Sequence, residues 1–429
     1  MVEQMLSISD VAEIFDGPHA TPKKIEAGPY FLSISSLEGG RLDLSKSAHV
    51  SEEQFVKWTK RVTPQKGDLL FSYETRLGEA ALMPEGIRAC LGRRMGLLRP
   101  KLNKVIPEYL LYAYISPFFQ QVIKANTIVG ATVDRIALSE MKDFPIRIPS
   151  LSEQKAACLL LSTIDKKIEL NNRINSELEA MAKTLYEYWF VQFNFPDMNG
   201  KPYKASGGKV IYSDTLKREI PKGWLDRTLG DLIKLGRGVT YGKQDVVSKS
   251  TLESEGVLRA TNVTGNIVDN DDLVYVSKSV VDDSQKIHSF DTLIVMSSGS
   301  KEHVGKNGIY YFDEPLGFGA FCSKITPHKE ALFFVNTFLQ TDWFKAYIKK
   351  QCLGTSINNL TTKHILNCNV VVPNSEVLRL FEETVEPLYN KIAINTLENK
   401  RLKELRDFLL PMLMNGQVTV NPSAELKNA

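Results

Sequence analysis

Ile168 to Met181 reads IELNNRINSELEAM, and Ile392 to Leu405 reads IAINTLENKRLKEL. Both stretches space their apolar residues as a helix does. Both also put amides where an apolar seam should run. A 4,3 spacing begun at Ile164 and Ile168 continues through Asn171, Asn175, Leu178 and Leu185. Its counterpart runs through Leu388, Ile392, Asn395, Asn399, Leu402 and Leu409. Matched seams of this kind predict two helices packed as a coiled coil, with the polar positions fixing register at some cost in stability. A second phase, through Leu170, Ile174, Met181 and Leu185, stays open and would leave the asparagines at the margin.

The two stretches belong to a longer repeat. GATVDRIAL from Gly130 faces GTSINNLTT from Gly354, an offset of 354 − 130 = 224. The same offset holds from Pro149 to Pro373 and from Leu185 to Leu409, so the register survives about 55 residues without a gap. Upstream it drifts. LSISDVAEIFDG from Leu6 resembles RTLGDLIKLGRG from Arg227, matching Asp10 to Asp231 and Gly17 to Gly238 at an offset of 221. KGDLLFS from Lys66 resembles SFDTLIVMS from Ser289. A solenoid repeat is about 20 to 50 residues long, so this period means tandem duplication. Each half has a variable α+β head with a mixed or largely antiparallel sheet, then a similar helix. Each head is expected to open on a short amphipathic helix, Ser9 to Phe15 and Gly230 to Leu235. Each is also expected to carry one helical segment near its end. About 27 residues of each rear helix would make a rod of roughly 40 Å. PDMNGKPYKASGGK, Pro196 to Lys209, reads as a surface linker.

At 429 residues the chain exceeds the reach of one core. Its net charge of +3 says little about partners, so a nucleic-acid role has to rest on local clusters. The N-terminal segment lacks the basic start and apolar run of a signal peptide. No apolar run approaches the roughly 20 residues that span a bilayer. Five scattered cysteines without a C-x-x-C pair support neither a zinc site nor a disulfide framework, and point to reduced thiols in a cytoplasm.

Motifs for chemistry are missing. There is no Walker A, no H-E-x-x-H and no G-x-S-x-G pattern, and the six histidines are dispersed. NFPD from Asn194 departs from the N-P-P-[YF] pattern of an amino-methyltransferase. No catalytic residue and no metal ligand is assigned. Basic and polar loops recur instead at equivalent places in the two heads, where arginine can read guanine, asparagine or glutamine can read adenine, and lysine can hold phosphate. In the first head the candidates are His19, Thr21, Lys23, Lys24, Lys60, Arg61, Tyr73, Arg76, Arg93 and Arg94. In the second they are Arg237, Tyr241, Lys243, Gln244, Arg259, Asn262, Ser298, Ser300, Lys301, His303 and Lys306.

With these residues in view, the chain resembles the specificity subunit of a type I restriction–modification enzyme. The resemblance rests on DGPHATPKKIEAGPYFLSISSLEGG, on KGDLLFS, on the run from Gly130 to Phe190 and on its copy from Gly354 to Met414. Its most specific part is the strand, the PSLSEQ start of the helix and the helix itself; Leu378 replaces the glutamine in the second half. The resemblance implies two pseudo-symmetric α/β target recognition domains, residues 1–150 and 210–373. They would be separated by two long antiparallel helices forming a coiled coil, residues 151–195 and 374–416, with a linker at 196–209 and a tail at 417–429. It further implies that each head reads half of a bipartite, asymmetric target in double-stranded DNA. The helices would set the gap and dock two methyltransferase (modification) subunits, and through them motor–nuclease (restriction) subunits. S-adenosylmethionine, ATP and Mg would be bound by those partners, with no cofactor in this chain. A self-contained restriction or modification enzyme, and a helical scaffold with no DNA role, are the competing readings.

Overall fold

The fold is taken from a computed structural model that describes residues 5–130, 132–300, 302–352 and 359–420. Two compact units are present. The first comprises residues 1–168 and 401–429, the second residues 169–400. Each unit therefore holds one head together with parts of both long helices.

The first head begins with a strand, Met5–Ser7, paired antiparallel with Pro145–Arg147. The helix expected through Phe15 is only Ile8–Val11. Ala12–Asp16 is a strand paired with Gly96–Pro100. Likewise Leu229–Asp231 is a single 3-10 turn, followed by the strand Ile233–Arg237 paired with Ser323–Pro327. An isolated seven-residue helix is marginal in water, and a ready ladder partner outweighs it. The matched acids have a local purpose. Asp10 accepts from the backbone N–H of Ser7 and Asp231 from that of Thr228, at 2.8 Å each, capping the turn in both halves.

The duplication extends to strand order. The first head's sheet runs Ala12–Asp16, Met95–Pro100, Leu69–Ser72, Ala80–Leu82. The second repeats that order with Ile233–Arg237, Cys322–Pro327, Thr292–Val295 and Asn307–Ile309, then adds Ile267–Val268 and Val263–Thr264. Each head also has a smaller sheet containing one parallel pair, Tyr30–Leu32 with Ala89–Leu91 and Val257–Leu258 with Gly317–Phe318. The single helical segment expected in each head is two helices. Pro107–Ile115 breaks before Pro117–Ala125, and Leu332–Gln340 before Asp342–Gln351, with Ser116 and Thr341 capping the second member.

The rear helices outrun a rod of about 27 residues and lie within the bounds 151–195 and 374–416 expected for them. Leu151–Tyr186 has 36 residues and Ser375–Met414 has 40, about 54 and 60 Å at the usual rise. Pro387 does not end the second helix. The carbonyl it cannot pair with belongs to Glu383, and both residues are on the exposed face, so the lost bond leaves no buried group unpaired. Ser150 and Glu153 form a capping box at the start of the first helix.

Gln154 is buried in the first turn of its helix and ties that helix to its head. Its Oε1 accepts from the Ile106 backbone N–H at 2.8 Å, and its Nε2 donates to the carbonyls of Lys104 and Pro149. Leu378, at the matching place, can do none of this. Glu382, one turn further on, takes over by accepting from the backbone N–H groups of Phe333 and Phe334 at 2.9 and 2.7 Å. The neutral amide of one half is thus replaced by a carboxylate at a helix N-terminus in the other. Burial raises the Glu382 carboxyl to about 7, against the lowering effect of those two N–H groups.

Within the second unit the two long helices run antiparallel, and the four seam asparagines are buried, between 1% and 7% exposed. Asn171 Nδ2 donates to Asn399 Oδ1 at 2.9 Å and to Glu398 at 2.7 Å. Asn395 Nδ2 donates to Asn175 Oδ1 at 2.8 Å, and Asn399 Nδ2 to Asn172 at 2.8 Å. Each asparagine therefore meets the other one's repeat: 171 pairs with 399 and 175 with 395. In the alternative phase, Leu170 and Met181 are 40% and 53% exposed. Leu178, Leu185, Leu388 and Ile392 pack with the second unit's core. In the first unit Ile164 and Ile168 are buried, while Leu402 and Leu409 are half-buried. There Arg406 Nη1 reaches Asp165 Oδ1 at 3.1 Å.

Candidate nucleic-acid interface

Antiparallel register decides where the loops go. Asp16 pairs with Gly96, and Ser72 pairs with Met95. The segments after Asp16, after Ser72 and before Met95 therefore leave the first head's sheet at one edge. Gly17 N–H donates to the Met95 carbonyl at 2.9 Å, and Tyr73 N–H to that of Arg94 at 3.3 Å. A Cβ on Gly17 would lie 2.4 Å from the Gly92 carbonyl oxygen, so only glycine fits this root. Its repeat, Gly238, is pressed as closely on Gly319, at 2.3 Å. In the second head Arg237 pairs with Ser323 and Val295 with Cys322. The same three roots converge there.

His19, Thr21, Lys23, Lys24, Lys60, Arg61, Arg76 and Arg93 are exposed at or near the first head's edge. Three guanidiniums are held by neighbouring acids: Arg61 by Asp16 at 2.5 Å, Arg76 by Glu79 at 2.9 Å and Arg94 by Glu74 at 2.9 Å. Asp16 also lies 3.5 Å from His19. Exposed pairs of this type are worth at most about 1 kcal/mol, so they orient an arginine yet yield to a phosphate or a base edge. Tyr73 is a correction. It is buried beneath the loop against Phe71, with ring centroids 6.5 Å apart, and burial raises its phenol to about 12. It builds the floor and does not reach solvent.

In the second head Arg237, Lys243, Gln244, Ser300, His303 and Lys306 are exposed, and Tyr241, Arg259 and Ser298 are half-buried. Arg259 is held by the Asp272 carboxylate at 2.7 Å. Asn262 is a second correction. It is buried, accepts from the Arg259 N–H at 2.8 Å and donates to the Asp271 carbonyl at 2.6 Å, so it shapes a turn and cannot read a base. Lys301 lies outside the described residues.

The strongly repeated segment also reaches this edge, although its sequence had assigned it to the shared frame. Thr75 N–H donates to the Asp134 carbonyl at 3.1 Å, and Glu74 bridges Arg135. In the second head Leu360 N–H donates to the Met296 carbonyl at 2.8 Å, and Ser297 bridges Asn359. Arg135 is exposed there and was missed. Its signal was the offset of 224, which places it opposite Asn359 beside the variable loop.

Comparison with known proteins gives similarities in sequence and in fold. Residues 3–180 match the family described as "Type I restriction modification DNA specificity domain". The MjaIX type I restriction enzyme specificity subunit of Methanocaldococcus jannaschii is 26% identical over 407 residues, 94% of this chain and 87% of that one. The chain is thus similar to type I restriction–modification specificity subunits, by family model over residues 3–180 and by pairwise likeness over most of its length. The HindI specificity subunit of Haemophilus influenzae is 23% identical, over 82% of this chain and 87% of that one. The crystal structure of the type I S subunit from M. genitalium shares the fold, with a TM-score of 0.51 at 16% identity over 96% of both chains. These relatives are named as specificity subunits. Among the described residues, no group of three His, Cys, Asp or Glu side chains could hold a metal, and no helix is long and apolar enough to cross a membrane. The cysteines are free, and Cys90, Cys158, Cys322 and Cys368 are buried.

Proposed function

We propose that this chain is a specificity subunit that reads a bipartite, asymmetric sequence in double-stranded DNA, one half-site per head. Residues 1–150 and 210–373 act as the target recognition domains, and the helices within 151–195 and 374–416 act as the spacer. The observation that carries the reading is the duplicated edge. The strand roots are the same in both heads, while the side chains mounted on them differ. A duplicated frame with divergent loops suits two different sequences presented in the same way. Base edges carry the sequence information, and the positively charged rim supplies the phosphate contacts.

The chain itself performs no chemistry in this reading. It docks two modification subunits, which bind S-adenosylmethionine and methylate adenine. Motor–nuclease subunits join through them and bring ATP and Mg, within the cytoplasm. The test is selection of duplexes from a random pool by the chain together with its modification subunits. A split motif with a fixed gap is expected. Recovery of one continuous motif, or of no motif at moderate salt, overturns the proposal. Methyl transfer by the isolated chain would favour the self-contained enzyme instead.

A further inference from the structure

A cavity of about 570 Å³ opens in the second head between the Gly265–Asn266 turn, the strand start at Val304–Asn307 and the helix Asp342–Gln351. Lys306 enters it from the strand, and Lys345 and Lys349 enter from successive turns of the helix. All three are exposed, and Glu302 is the acid among the lining side chains. Lys345 is positioned from behind. Its Nζ donates to Asn266 Oδ1 at 3.3 Å, while Asn266 Nδ2 donates to Glu179 Oε2 at 2.8 Å. Glu179 sits on the long helix, so the ammonium is anchored to a rigid element. The cleft is continuous with the candidate interface, because Lys306 Nζ lies 3.4 Å from His303 on the same loop.

The first head has a cavity of about 370 Å³ at the matching place, lined by no lysine, where Arg41 and Arg406 stand among the acids Glu79, Asp165 and Asp407. Glu79 stands where Lys306 does and is held by Arg76 and by the N–H of Gly39. Gln120 stands where Lys345 does and turns inward, donating to the carbonyls of Gly78 and Tyr114. Of the three positions only Lys124, opposite Lys349, keeps its lysine. Gly78 and Gly305, with φ of 85° and 83°, hold the same left-handed turn beside these positions. The backbone is thus shared and the electrostatics are not.

We infer that the Lys306–Lys345–Lys349 cleft binds phosphodiester oxygens of the DNA read by the second head, a sequence-independent anchor that the first head lacks. The inference rests on the DNA-reading proposal. The same chemistry would also suit a free polyphosphate, and the test separates the two sources.

Full chain in complex with its modification subunits is titrated with the selected duplex at salt concentrations between about 50 and 200 mM. Lys306→Gln/Lys345→Gln/Lys349→Gln is compared with wild type and with a charge-matched control, Lys201→Gln/Lys209→Gln/Lys217→Gln. Each phosphate contact contributes roughly 0.9 to the slope of log affinity on log salt, so the cleft variant should lose about 2 to 3 from the slope. Its preference for the selected sequence over random duplex should be unchanged, since phosphate contacts carry no sequence information. The control should keep the wild-type slope. An unchanged slope in the cleft variant, or an equal loss in the control, overturns the inference. Saturable binding of inorganic triphosphate, lost in the cleft variant while the DNA slope stays at the wild-type value, would assign the cleft to a free polyphosphate and also overturn it. Wild type that selects no motif defeats the DNA-reading proposal instead, so the two failures are distinct.

Discussion

Asn175 and Asn395 form a buried pair whose two members are unequal. Asn395 Nδ2 donates to Asn175 Oδ1 at 2.8 Å, while Asn395 Oδ1 is buried with no hydrogen-bond partner among protein atoms. Asn175→Leu therefore strands the whole Asn395 amide, at about 1–3 kcal/mol for the lost acceptor. Thr396, which also accepts from Asn175 at 3.4 Å, keeps its own bond to the Ile392 carbonyl and adds little. Asn395→Leu strands only Asn175 Oδ1, and it removes an acceptor that was already unsatisfied. It should cost less than Asn175→Leu by roughly 1 kcal/mol. The double replacement leaves an apolar pair in an apolar seam and should be near neutral or stabilising. The expected coupling in the double-mutant cycle is then about 2 kcal/mol, well above the scatter for independent sites. Urea unfolding of the full chain followed by tryptophan fluorescence measures it. Three of the four tryptophans, Trp189, Trp224 and Trp343, lie in the second unit, and replacing Trp58 of the first unit with Phe in every variant makes the signal report the helices concerned. Equal single-mutant costs with coupling below about 0.5 kcal/mol would refute the reasoning, because the amides would then be acting independently.

Three further outcomes are expected. The Glu382 carboxyl, raised to about 7 from an ordinary 4.5, binds more protons folded than unfolded between those values. Its contribution to stability is fully present below the ordinary value and is lost as pH rises through the folded one, on the order of 3 kcal/mol in all. Glu382→Gln should flatten that fall, and urea midpoints measured from about pH 5 to about pH 8 that decline in parallel for variant and wild type would count against it. Gly17→Ala drives a Cβ into the Gly92 carbonyl and should destabilise the first head by about 1–3 kcal/mol. Binding to that half-site should weaken while the other half of the motif is still selected; loss of both halves together would argue against separate reading heads. Inserting seven residues after Leu178 and seven before Ile392 keeps the asparagine pairing and lengthens each helix by about 10 Å. The preferred gap should grow by about three base pairs at roughly 3.4 Å each, and an unchanged gap would show that the helices do not set it.

Much of the frame could be read from the sequence, because duplication makes structural constraint visible inside one chain. The matched Asp10 and Asp231 are capping acids, the matched Gly17 and Gly238 are close backbone approaches, and the matched asparagines pair with each other's repeats. What failed to show was tertiary. SDVAEIF is helix-periodic over seven residues, but its second half is taken by a strand whose partner residues lie 82 to 88 positions away. Tyr73 and Asn262 looked like interface residues because their neighbours are polar, but Tyr73 turns inward beside Phe71 at the end of its strand, and Asn262 closes the turn Ala260–Asn262 on the Arg259 N–H. Lys345 lay on a segment read as one continuous helix. Its exposure depends on the break at Thr341, which turns the outer face of the second helix to solvent. Glu382 could not be found by looking for a glutamine, since the task moved one turn and changed residue.

The paired glycines have a consequence for how such a chain can acquire a new target. Between Ser72 and Gly78 the first head has five residues, and between Val295 and Gly305 the second has nine. Both lengths leave from one strand and land on the same left-handed glycine without disturbing the ladder on either side. The segment between the anchors behaves as a cassette. Tyr73 and Leu77 in the first head, and Met296 and Val304 in the second, tie its ends to the cores, so on the DNA-reading proposal the part free to change is the stretch between them.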